Sequence, residues 1–231
     1  MTPSTLKSLG PDLFALDGEV RVPGLTLPAR MTIVRLADGS VALHSPLAID
    51  EAVAAAIDAL GPVRFLIAPN QYHHLFAGPS KQRYPDAKLL GAEGLADKRP
   101  DLPWDGALPA AGDPFGDGTV EVRRIDGMPK MNEVAFFHRP SRALIVTDLL
   151  FNVVTSPYWT TRAALRLISG VYGRCGVSNL VKREVKDRAA ASMSVRALLA
   201  WEPARLVMAH GEPMDADVPA VLARELAWFL S

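Results

Sequence analysis

Hairpin signals and strand–helix alternation occur together in this chain, and that combination restricts its fold most. Ala37-Asp38-Gly39-Ser40 joins two apolar runs, Met31–Leu36 and Val41–His44, and Asp-Gly is a signature of a tight hairpin turn. Arg139-Pro140-Ser141-Arg142 joins Glu133–His138 to Ala143–Thr147 in the same way. Ile49–Leu60 instead reads as a helix capped by Asp50, with Val53, Ile57 and Leu60 on one face, before Gly61-Pro62 stops it. Arg64–Ala68 follows as a short buried strand, and Leu75–Tyr84 and Lys88–Gly91 continue as helix and strand. Further along, Thr160–Tyr172, Asp187–Trp201 and Val218–Leu230 read as helices and Arg205–Ala209 as a strand. Leu13–Leu16 and Thr119–Ile125 complete the strands, and Asp97–Gly118 reads as a long surface loop or insertion. Hairpins require antiparallel pairs, and strand–helix–strand units require parallel ones. The sheets must therefore be mixed, in one layered α/β domain spanning residues 1–231.

Composition excludes several classes of function. Apolar residues make up 49% and charged residues 22%, which suits a packed globular core rather than disorder. Lys+Arg and Asp+Glu are 25 each, so no general affinity for nucleic acid is expected. Cys175 is the single cysteine, which excludes an internal disulfide and a Cys-rich zinc site. Met1 to Phe14 carries one Lys and no apolar run of roughly 7–15 residues, so no secretory signal is expected. Asp148 and Asn152 interrupt the apolar stretch Ala143 to Val154, and nothing reaches the run of about 18 residues that spans a bilayer. The expectation is a cytoplasmic protein with no membrane contact.

The polar residues that carry chemistry gather at strand ends. His73 and His74 lie in the loop after Arg64–Ala68, Asp148 follows Ala143–Thr147, and His210 follows Arg205–Ala209. Chemistry in α/β folds collects outside the carboxyl ends of strands. Imidazole and carboxylate are the donors that Zn²⁺ or Fe²⁺ prefers, and separate rigid strands can bring them together. His44 also ends a strand and is held as an additional or supporting member. His138 is excluded, because a hairpin follows it directly.

Three of these segments resemble the metallo-β-lactamase-like hydrolase superfamily, in order and spacing, over roughly residues 10 to 215. The loop Asn70-Gln71-Tyr72-His73-His74 stands where the superfamily carries H-x-H-x-D-H. Ala143–Phe151 is similar to its strand ending in Gly-Asp, with Thr147 in place of Gly. Val207-Met208-Ala209-His210-Gly211 is similar to its late strand followed by His-Gly. The resemblance implies an αββα sandwich of two mixed sheets flanked by helices. It also implies a branch with a degenerate His motif. The two earlier His positions fall on Pro69 and Gln71, and no His occupies Gly127–Glu133. The first metal position is thus dismantled, while His74, Asp148 and His210 match the ligands of the second and His73 replaces an Asp.

The expectation is that His73, His74, Asp148 and His210 converge on one divalent metal, Zn with Fe or Mn as alternatives. The reaction expected is metal-dependent hydrolysis of an ester, thioester, amide or phosphoester in a small-molecule substrate. His73 is the candidate general acid if it is not itself a ligand. Asp50, Asp58 or a backbone carbonyl is expected to hold the second nitrogen of each ligating His. Two alternatives stay open: a degenerate, metal-free scaffold for binding or assembly, and an iron-binding redox or sensor protein. The run Lys182, Arg183, Lys186 and Arg188, interleaved with Glu184 and Asp187, reads as a solvated helix end or loop. Tyr158, Trp159 and Tyr172 read as core or dimer-interface aromatics, so a homodimer is among the expected assemblies. No G-x-S-x-G elbow is present, and Ser45 beside His44 does not by itself indicate a triad.

Overall fold

The computed structural model describes residues 6–231. The first five residues of the segment read for a leader lie outside that range. The strands are β1 Lys7–Gly10, β2 Leu13–Val22, β3 Leu25–Arg35, β4 Val41–His44, β5 Val63–Ala68, β6 Lys88–Gly91, β7 Gly106–Ala107, β8 Ala111–Gly112, β9 Val120–Arg124, β10 Val134–His138, β11 Ala143–Val146 and β12 Arg205–Met208. The helices are α1 Glu51–Asp58, α2 Ala77–Arg83, α3 Leu95–Lys98, α4 Trp159–Ala164, α5 Asn179–Glu184, α6 Arg188–Leu199 and α7 Val218–Leu230, with a π-helical turn, Leu165–Ser169, continuing α4.

Two mixed sheets result. The first has the order β1-β2-β3-β4-β5-β6-β7, antiparallel through β4 and parallel beyond it. The second has the order β12-β11-β10-β9-β8, with β11 and β12 its parallel pair. Successive strand residues point to opposite faces, and the apolar runs of the inner strands fill both. Val134, Phe136, Ala143, Ile145 and Val207 face Leu13, Val34, Ala42 and Ile67 of the first sheet. Their neighbours Ala135, Leu144, Val146, Leu206 and Met208 face the other way, onto Ala191, Val195, Leu222, Leu226 and Phe229 of α6 and α7. On the far side, Leu43 and Leu66 pack against Val53, Ile57 and Ala77 of α1 and α2. The layers are therefore α, β, β, α.

Local signals acted where expected. Asp50 caps α1, accepting from Val53 N at 2.8 Å, and Gly39 turns the β3–β4 hairpin at φ +80°. The β2–β3 hairpin is longer than the apolar runs Leu13–Leu16 and Met31–Leu36 imply: its outer half is only partly buried and is apolar only at alternate positions, Val20, Val22, Leu25 and Leu27. The segment Asp97–Gly118 is not wholly loop: β7 and β8 end one edge of each sheet, held by backbone pairing rather than side chains. The basic run is split between α5 and α6, and Arg188 lies over the Trp228 ring at 4.4 Å. Among the described residues no helix is long and apolar enough to cross a membrane.

Candidate metal centre

The carboxyl ends of β4, β5, β11 and β12 open on the same edge of the sandwich. They deliver Ser45, the loop Asn70–His74, Asp148 and His210. His73, Asp148 and His210 each offer a donor atom, all within 4.8 Å of one another. His73 Nε2 is 3.2 Å from Asp148 Oδ2, and His210 Nε2 is 3.4 Å from Asp148 Oδ1. The two imidazole rings are 5.1 Å apart, and Phe151 stacks on His210 at 5.0 Å.

Each side chain is held from behind. His210 Nδ1 donates to the Pro28 carbonyl at 2.7 Å, since a carbonyl can only accept. His73 Nδ1 lies 2.6 Å from Ser45 Oγ. Asn70 Oδ1 accepts from the backbone N–H groups of Tyr72 and His73, both at 2.8 Å, and its Nδ2 donates to Asp148 Oδ2 at 2.6 Å and to Thr147 Oγ1 at 2.9 Å. One buried amide thus shapes the His73 loop and aims the Asp148 carboxylate. Glu133, fully buried at the foot of β10, accepts from the N–H groups of Thr147, Asp148 and Leu149 at 2.7, 2.8 and 3.0 Å. Gly211 follows His210 at φ +109°, where its backbone packs on the Asn152 carbonyl and leaves no room for a Cβ. Asn152 N donates to the His210 carbonyl at 2.9 Å and joins the two site loops. Arg30 completes that loop by donating to the Met208 and Gly211 carbonyls at 3.0 and 2.6 Å.

The electrostatics follow from this packing. Burial alone would raise the Asp148 carboxyl, but His73 and His210 outweigh it and hold it below the usual carboxylate range. Burial pulls His210 down, yet the Asp148 hydrogen bond and charge, with the Pro28 carbonyl, leave it raised. Glu133 is raised by burial and then by the neighbouring Asp148 charge.

These donors suit a cation. His210 spends its Nδ1 proton on Pro28, so a neutral ring turns its Nε2 lone pair toward a carboxylate oxygen. Two acceptors that face each other at this range need positive charge between them, either a proton or a metal ion. His–Asp–His is a donor set that Zn²⁺ accepts with a coordination position left open.

The sequence-derived set is brought together only in part. His74 stands apart from the cluster. Its Nδ1 meets Arg99 Nη1 at 3.1 Å, because adjacent residues in this tight loop project to different sides. Burial, Lys98 and Arg99 lower its pKa. His44 is buried edge-on against Phe136 at 4.7 Å and lies outside the cluster. His138 sits at the opposite end of β10, 2.7 Å from Ser141 Oγ. Asp50 and Asp58 take no part in holding the site histidines: Asp50 caps α1, and Ser45 and Pro28 fill the role instead. Asn70, Glu133 and Ser45 were not legible as site residues. The one available signal was that Asn70 and Glu133 interrupt or flank apolar strands.

The fold is that of metallo-β-lactamases. The DIM-1 metallo-β-lactamase exposed to ceftazidime is 13% identical, with 97% of each chain covered and a TM-score of 0.67. The metallo-β-lactamase from Pontibacter korlensis is 12% identical, with 98% of each chain covered and a TM-score of 0.65. FIM-1 from Pseudomonas aeruginosa in its mono-zinc form is 12% identical, with 98% of this chain and 96% of that one covered and a TM-score of 0.66. No curated protein matches the sequence. Residues 11–167 match the family described as a domain of unknown function, DUF4336, and the chain belongs to that family.

Proposed function

We propose that this protein is a hydrolase dependent on one divalent metal ion, held by His73, Asp148 and His210. The observation that carries the reading is the pair of histidines facing one carboxylate with their far nitrogens already engaged. When bound, a divalent ion supplies Lewis acidity that makes water nucleophilic near neutral pH. The chain's own residues set the conditions for that chemistry. Pro28 fixes the His210 tautomer, Ser45 orients His73, and Asn70 aims Asp148. His73 counts here as a ligand rather than as the general acid. The mono-zinc FIM-1 neighbour supports zinc at the level of the fold. The substrate is a small molecule with an ester, thioester, amide or phosphoester bond.

Metal analysis tests the reading directly. Protein purified and then supplied with Zn²⁺, Mn²⁺ or Fe²⁺ is expected to retain about one equivalent. His73→Ala, Asp148→Ala and His210→Ala are expected to lose it, whereas His74→Ala and His138→Ala keep it. A wild-type protein that retains none of the three metals ends the proposal and leaves only readings without a metal. Uptake of iron with dioxygen reactivity selects the redox alternative.

The contacts of Ser45 support a second reading. Ser45 Oγ, His73 and Asp148 form a continuous relay beside the cleft, with Ser45 at the strained φ of +54°. In that reading Ser45 Oγ adds to an acyl carbonyl and passes its proton to His73. The leaving group departs with the proton, and water then releases the acyl group. Hydrolysis that survives a chelator and is abolished in Ser45→Ala selects it.

A further inference from the structure

Two apolar clefts meet over the candidate metal centre. The first, about 260 Å³, has Val20, Val22, Leu47, Leu75 and Phe76 as walls, with His73 and His210 among its polar lining. The second, about 440 Å³, runs between the start of β3 and the α4–α5 region and is walled by Leu25, Met131, Leu165, Ile168 and Val181. Leu27, Tyr72 and Asp148 line both, so the two form one apolar trough crossing the site at Asp148.

We infer that the substrate is a neutral acyl ester or thioester with an extended apolar chain, which lies in the second cleft with its scissile carbonyl at Asp148. The inference rests on the hydrolase reading for the bond that is cut. Three further features support it. Ile168 and Leu180 line the second cleft while still about half exposed, and Leu167, next to Ile168 in the chain, is 80% exposed. Such a concentration of exposed apolar surface around a cleft marks a site for an apolar ligand. The wall includes the π-helical turn Leu165–Ser169, a local irregularity that recurs at functional sites. Arg183 is the one Lys or Arg among the described residues lining either cleft, and Glu184 beside it offsets its charge. A phosphate mono- or diester would bring negative charge that, the metal ion apart, only Arg183 could meet along the trough. An acyl chain brings none and gains by leaving water.

Binding is tested apart from catalysis. A fluorescent polyene fatty acid methyl ester is bound to metal-free protein and displaced by neutral, non-hydrolysable methyl ketones of four to twelve carbons, below their solubility limits. Affinity is expected to rise about fourfold per methylene until the cleft is full. The double variant Ile168→Glu/Leu180→Glu, at two half-exposed positions outside the buried core, is expected to lose that slope while its zinc content stays at the wild-type level. In zinc-loaded protein, kcat/KM for p-nitrophenyl esters is expected to climb along the same series. Equal affinity for four- and ten-carbon ketones, no binding of the probe, or an unchanged slope in the double variant overturns the inference. A protein that takes up no metal but keeps the chain-length slope overturns the metal-dependent hydrolase reading and leaves the apolar-chain site standing.

Discussion

The Glu133 carboxylate accepts the backbone N–H of Asp148 at 2.8 Å, so a buried acid positions a half-buried one. The same carboxylate takes the N–H groups of Thr147 and Leu149 and stands in for a strand partner where β11 ends. In Glu133→Ala those three donors are buried without acceptors, at about 1–3 kcal/mol each before any water enters. The expected result is a loss of at least about 3 kcal/mol in urea unfolding, together with weaker zinc retention. Glu133→Gln keeps one oxygen and should fall between. A Glu133→Ala protein as stable as wild type would mean that the loop is held by other contacts.

Ser45 separates support of the metal centre from backbone strain. Its hydroxyl is 2.6 Å from His73 Nδ1 while its backbone sits at φ +54°. Ser45→Ala removes the hydroxyl and keeps the strain, whereas Ser45→Gly removes both. Both variants are expected to bind zinc about 10–100-fold more weakly in chelator competition. Ser45→Gly should be the more stable of the two, by about 1 kcal/mol. Undiminished zinc affinity in both would remove Ser45 from the metal-holding role.

The glycine after His210 is required by a close approach of two loops. A Cβ there would run into the Asn152 carbonyl, and the backbone is at φ +109°. Gly211→Ala is therefore expected to cost more than about 3 kcal/mol and to reduce metal content by displacing His210. Denaturant unfolding and metal analysis on one preparation check both effects. A fully stable, fully loaded variant would show that the loops can separate without consequence.

Two buried histidines make stability depend on pH. Burial, aided by His73, pushes His44 down to about 3, and burial pushes His138 down to about 4. Both fall below the ordinary value near 6.5, so the unfolded chain takes up their protons first as pH drops. Their contribution to stability is complete above pH 6.5 and is lost progressively as pH falls toward the folded values. His138→Gln should flatten the stability–pH slope in that window by up to about 1.4 kcal/mol per pH unit. An unaltered slope would show that His138 is not buried as a neutral ring.

Much of the architecture was legible before folding, because local physics writes it residue by residue. Apolar runs such as Ala143–Thr147 and Arg205–Ala209 announced strands buried on both faces. Asp50 announced a helix start, and Asp38-Gly39 announced a hairpin. The placement of His73, Asp148 and His210 at strand ends was likewise visible, since a strand end is a position in sequence as well as in space. Side-chain direction was not. His73 and His74 are chemically identical neighbours, and the loop shaped by Asn70 turns one toward Asp148 while the other meets Arg99. Ser45, Asn70 and Glu133 became site residues only when the sheet holding β4 and β5 packed against the sheet holding β10 and β11. Contacts between residues 78 positions apart, as for Asn70 and Asp148, or 182 apart, as for Pro28 and His210, carry no local signature. The sequence by itself therefore determined which elements form and which chemical groups lie at their ends. The tertiary structure decided which of those groups meet, because that depends on the register and pairing of strands distant along the chain.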